Sequence, residues 1–146
     1  MRSALTIEAH EKALVLTANA TISVIDDDPS VRTAIDDLLK SSGYWTNMFG
    51  RAEGFLSSSA LWNSDCVISD VEMPGTSGVE LLRFFQANKI ETPLIVMSAG
   101  PKGSVFAETP PSGAFAFVEK PFLPERFLDL ISLALQQSSR YRRVID

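Results

Sequence analysis

The chain has 146 residues, 45% of them hydrophobic and 21% charged, which is ordinary globular composition at a common single-domain size. Its net charge of −5 has the wrong sign for a surface that neutralises nucleic-acid phosphates, so no nucleic-acid contact through this chain is expected. No apolar run approaches the ~20 residues of a membrane-spanning helix, and the single cysteine, Cys66, excludes an internal disulfide and reads as buried filler of a cytoplasmic protein.

Residues 1–20 are read as an N-terminal extension. Arg2, the apolar stretch Ala13 to Ala18, and Ala18-Asn19-Ala20 loosely imitate a secretion signal, but Glu8, His10, Glu11 and Lys12 interrupt its apolar region. His10, with no second metal-type residue beside it, reads as a surface residue.

From Thr21 onward, short apolar runs alternate with amphipathic segments, the pattern of a parallel α/β sheet. Ile22 to Ile25 is the first strand. Asp28-Pro29 supplies an N-cap carboxylate and a proline at the first helical position, ahead of Val31, Ile35, Leu38 and Leu39 on one helical face. Gly43 ends that helix, Tyr44 to Phe49 is a second strand, and Ala52 to Ser58 a short helix. Cys66 to Ser69 is a third strand, and the turn Met73-Pro74-Gly75 leads into a helix with Val79, Leu81, Leu82 and Phe85. Leu94 to Met97 and Phe115 to Val118 are strands four and five. Pro124 opens the last helix, with Phe127, Leu128, Ile131 and Leu135 inward.

In open parallel sheets, ligands bind beyond the carboxyl ends of the strands. The polar residues collect at those ends: Asp26-Asp27-Asp28 after strand one, Asp70 after strand three, Ser98 after strand four and Glu119-Lys120-Pro121 after strand five. Clustered carboxylates raise one another's pKa unless a cation neutralises them. Mg²⁺ suits an all-oxygen site of this kind. Phosphoryl transfer needs an oxygen nucleophile in line and positive groups around the equatorial oxygens, parts that Asp70, Mg²⁺, Ser98 and Lys120 can supply.

The segments VIDDDPSVR, ISDVEMPGTSG, VMSAG and FVEKPF resemble, in order and spacing, the signature segments of response-regulator receiver domains over residues 21–137. The resemblance implies a flavodoxin-like (βα)5 fold with a doubly wound, five-stranded parallel sheet. It further implies a phosphoacceptor that receives its group from a sensor histidine kinase or phosphotransfer protein and is not a turnover enzyme. By the same resemblance Asp70 is the acceptor, Asp27 binds Mg²⁺ directly and Asp26 largely through water. The backbone carbonyl of Glu72 is a further ligand, Ser98 is the switch hydroxyl, and Lys120 pairs with the phosphoryl group. Phe117 takes the aromatic switch position, and Lys120-Pro121 the place of a frequent cis peptide. From the residues alone, Asp28 reads as an N-cap, Glu72 as an exposed loop residue and Phe117 alternatively as core filler.

Where the family has a helix between strands four and five, this chain reads PKGSVFAETPPSG, and Pro110 and Pro111 limit that helix to a short or irregular one. The usual dimer surface is thereby in question, and only weak homodimerisation is left open. Residues 138–146, with Arg140, Arg142 and Arg143, read as a tail or linker stub. Two other functions compete. A haloacid-dehalogenase-like phosphohydrolase can use Asp26-Asp27-Asp28 as Asp-x-Asp, but lacks an acidic pair after Lys120. A receiver-like module that is never phosphorylated is signalled by loss of the acceptor or acidic pair, and both are kept.

Overall fold

The computed structural model describes residues 19–99 and 113–138. The expected extension up to Ala18, the glycine- and proline-rich connection between strands four and five, and the arginine-bearing tail lie outside the described residues. Strands β1 (Thr21–Ile25), β2 (Trp45–Phe49), β3 (Cys66–Asp70), β4 (Leu94–Ser98) and β5 (Ala116–Glu119) alternate with helices α1 (Pro29–Ser41), α2 (Ala52–Leu56), α3 (Ala60–Asn63), α4 (Gly78–Ala87) and α5 (Pro124–Gln137). All pairings are parallel, in the order β2-β1-β3-β4-β5. The sheet is therefore the parallel α/β sheet that the alternation predicts, and its strand order is the doubly wound one that the family resemblance implies.

Both faces of the sheet are covered, which is why its strands are nearly continuous apolar runs. Side chains alternate across a strand. Ile22, Val24, Ile68, Ile95 and Met97 accordingly pack with Leu39 of α1 and with Phe127, Ile131 and Leu135 of α5. Ile25, Val67, Leu94 and Val96 pack with Phe55 of α2, Leu61 of α3, and Leu81, Leu82 and Phe85 of α4. Cys66 lies within the first of these layers, where burial pushes its thiol up to about 12 and leaves it inert.

Helix α1 begins as its sequence dictates: the Asp28 carboxylate accepts from the Ser30 amide at 2.9 Å, and Pro29 fills the first helical position. The helix predicted from Ala52 to Ser58 ends at Leu56 as α2, and a second short helix that was not predicted, α3, follows from Ala60. Ser57 Oγ donates to the Glu53 carbonyl and Ser58 Oγ to that of Phe55, while the Ala60 amide donates back to Ser58 Oγ. Serines that bond locally to the backbone in this way end one helix and start the next. Strand β5 lies one residue beyond its predicted position, because the Phe115 amide bonds to the Leu94 carbonyl ahead of the ladder proper.

The strand order reverses between β1 and β3, so the sheet opens a crevice beyond their carboxyl ends.

Candidate functional site

Asp26 is the first residue past β1. Its amide donates to the Phe49 carbonyl at 3.0 Å, and its side chain is 0% exposed. One carboxylate oxygen accepts from the Asp28 amide at 2.9 Å and the other from Lys120 Nζ at 2.7 Å. The same Nζ lies 3.3 Å from Asp70 Oδ2 at the end of β3, and the Lys120 amide donates to the Ser98 carbonyl at 2.7 Å. One lysine thus joins the ends of β1, β3 and β4 to that of β5. The Lys120-Pro121 bond is cis.

Asp27 is exposed beside this pair. One oxygen from each of Asp26, Asp27 and Asp70 lies within 4.8 Å of the others, an all-oxygen set that fits a small hard cation. Burial raises the pKa of Asp70. Lys120 opposes that shift, Asp26 adds to it, and the Glu72 amide opposes it, with a net rise. Burial acts to lower the pKa of Lys120, but its hydrogen bond and charge attraction to Asp26 and Asp70 outweigh that and hold it above the ordinary value.

The structure therefore brings Asp26, Asp27, Asp70 and Lys120 together, with Ser98 buried at the end of β4 beside them. Glu72 is exposed two residues past Asp70. Phe117 sits on β5 opposite Val96 and is 38% exposed, which rules out its reading as core filler alone. Asp28 caps α1, as its position before Pro29 predicts.

Three residues of the site carry no role in the sequence reading. Arg32 donates from Nη1 to the Asp26 carbonyl at 2.6 Å. Glu53 of α2 accepts from the Thr76 amide at 2.7 Å, tethering the loop that follows Asp70, where Gly75 has φ +79°. This hydrogen bond holds the Glu53 carboxyl below its ordinary value. Gly78 opens α4 directly under Asp70: a Cβ there would lie 2.6 Å from the Asp70 carbonyl oxygen and 2.9 Å from Val71 Cα. Both neighbours are backbone, so Gly78→Ala must displace the strand end that carries Asp70. A stability loss of about 2 kcal/mol is expected in denaturant melts, and a variant as stable as the wild type would refute this account of the contact. A serine before a glycine at a helix start was the available signal. Nothing in the sequence joins Glu53 to Thr76.

Comparison with known proteins identifies the family. A family model described as the response regulator receiver domain matches residues 22–132. The transcriptional regulatory protein FixJ of Bradyrhizobium diazoefficiens is 35% identical over 84% of this chain and 60% of its own length. The transcriptional regulatory protein TdiR of Thauera aromatica is 33% identical over 82% of this chain and 53% of its own. The chain thus spans little more than half the length of these relatives. Among solved structures, FixJ-N superposes with a TM-score of 0.71 at 33% identity, covering 82% of this chain and 95% of that one. These matches favour the phosphoacceptor over the hydrolase and the silent module, and with 111 consecutive residues matched, the chain belongs to the response regulator receiver domain family.

Proposed function

We propose that Asp70 accepts a phosphoryl group from the phosphohistidine of a sensor kinase or phosphotransfer protein in the cytoplasm. One observation carries this reading: Lys120 Nζ stands between Asp26 and Asp70, at 2.7 and 3.3 Å, with Asp27 in the same oxygen cluster. An Asp70 oxygen attacks phosphorus in line. The P–N bond to histidine breaks, its electron pair stays on the imidazole nitrogen, and a P–O bond to Asp70 forms. Lys120, already seated on both carboxylates, meets the negative charge of the transferred group, and the Ser98 hydroxyl donates to one of its oxygens.

The oxygen cluster of Asp26, Asp27 and Asp70 fits Mg²⁺; Asp27 and Asp70 would hold it directly, Asp26 would act through water, and the Glu72 carbonyl would be a further ligand. When bound, Mg²⁺ neutralises the carboxylates and the equatorial phosphoryl charge. Engagement of Ser98 then draws Phe117 inward from its exposed position, which is the conformational signal. The chain then acts as a stoichiometric acceptor of one phosphoryl group and not as a turnover enzyme.

Incubation with Mg²⁺ and acetyl phosphate tests the reading. A gain of one phosphoryl group in the intact mass supports it, whereas turnover of many phosphate esters or no reaction would overturn it. The assignment of the acidic triplet has its own test. Asp27→Ala is expected to weaken Mg²⁺ binding more than Asp28→Ala does, while Asp28→Ala costs about 1 kcal/mol of stability through loss of the α1 cap. Metal titrations and denaturant melts on the two variants check this, and a reversed ranking would misplace the triplet's register.

A further inference from the structure

Where β1 gives way to α1, no backbone amide among the described residues donates to the Asp26 carbonyl, and a buried carbonyl needs a donor. Arg32 provides it. Its Nη1 donates at 2.6 Å in a partly buried, charge-assisted bond of roughly twice the strength of a neutral one. The guanidinium lies against the backbone of Gly50, where a Cβ would stand 3.2 Å from Nη1 and 3.7 Å from Cζ. On its amide side Asp26 is already held by the Phe49 carbonyl.

The Asp26 carbonyl and the Asp27 amide share one rigid peptide plane. Fixing that carbonyl therefore fixes the direction in which Asp27 leaves the strand. Among the described residues, no hydrogen bond or ion pair holds the Asp27 side chain, so its place in the oxygen cluster depends on its backbone. Nor does any described carboxylate lie within 4.0 Å of the Arg32 guanidinium. Its charge is directed to a carbonyl and leaves the cluster's oxygens open.

We propose that Arg32 is a positioning residue for the acidic cluster: its guanidinium, seated on Gly50, clamps the Asp26 carbonyl and so sets where Asp27 meets a bound cation. This rests on the phosphoryl-acceptor reading above, and it assigns a role to a residue outside the cluster itself.

The test measures Mg²⁺ affinity by calorimetry, phosphorylation by acetyl phosphate at low and saturating Mg²⁺, and the denaturation midpoint. Arg32→Ala is expected to bind Mg²⁺ about ten-fold more weakly, the loss typical of removing a residue that orients a metal ligand. Its slow phosphorylation should recover at saturating Mg²⁺. Arg32→Lys should restore part of the affinity, and Gly50→Ala, which pushes the guanidinium aside, should lower it to a smaller degree. Arg83→Ala, on the exposed face of α4, should match the wild type. A folded Arg32→Ala with wild-type Mg²⁺ affinity overturns the proposal. If that variant does not fold, unchanged affinity in Gly50→Ala overturns it instead. A wild type that neither binds Mg²⁺ nor gains a phosphoryl group brings down the acceptor reading as well, so the two failures are distinct.

Discussion

Asp70→Asn is expected to take up no phosphoryl group from acetyl phosphate and, at neutral pH without Mg²⁺, to be more stable than the wild type. The first effect follows from chemistry. The amide keeps the shape of the side chain and its place at the end of β3, but removes the anionic nucleophile. The second follows from electrostatics. Burial and the neighbouring Asp26 raise the Asp70 pKa, with Lys120 opposing, so the folded state holds that proton more tightly than the unfolded chain does. Between the unfolded value of about 3.9 and the raised folded value, the native state binds more protons, and stability falls as pH rises. Above both values the whole cost of the ionised group is present. Asparagine never ionises and escapes it. Intact mass after phosphodonor treatment reads the first effect, and denaturation midpoints across the acid range read the second. A variant that gains a phosphoryl group at the wild-type rate, or is less stable than the wild type at neutral pH and the same slope toward acid, would contradict these assignments.

The parts of this fold and site that are set locally are legible in the sequence. Strand runs such as CVIS and LIVM are apolar because both sheet faces are covered, and the Asp28-Pro29 pair starts α1 by capping chemistry that involves only neighbours. The gathering of Asp26, Asp70, Ser98 and Lys120 was legible because a parallel sheet sends every strand end to one rim, whatever the connections between them. Contacts that depend on the packing of distant turns were not. Glu53 and Thr76 are 23 residues apart and meet only because α2 and the loop after β3 share a rim. Arg32 looks, on an amphipathic helix, like any solvated arginine, and only its seat on Gly50 distinguishes it. The break between α2 and α3 turns on which carbonyls Ser57 and Ser58 take up, a choice that helical periodicity does not encode.

Lys120→Met is expected to cost about 3 kcal/mol of stability in the absence of metal and to slow phosphoryl uptake about a hundred-fold. Asp26 is fully buried, and Lys120 is its ion-pair partner among the described residues. Removing the lysine leaves three carboxylates, with oxygens within 4.8 Å of one another, without the ammonium that bridges two of them. Breaking a buried pair by deleting one member costs more than the pair contributes, because the remaining charge stays desolvated. The Asp28 amide still donates to Asp26 at 2.9 Å, which keeps the loss toward the lower end of the usual range. Added Mg²⁺ supplies positive charge to the same oxygens, so it should raise the melting midpoint of Lys120→Met by more than it raises that of the wild type. Lys120→Arg, which keeps the charge but changes its shape, should recover most of the stability and little of the transfer rate. Thermal melts with and without Mg²⁺, paired with phosphorylation time courses, separate the two roles. If Lys120→Met melts with the wild type and responds no more strongly to Mg²⁺, the ammonium is not what balances this cluster.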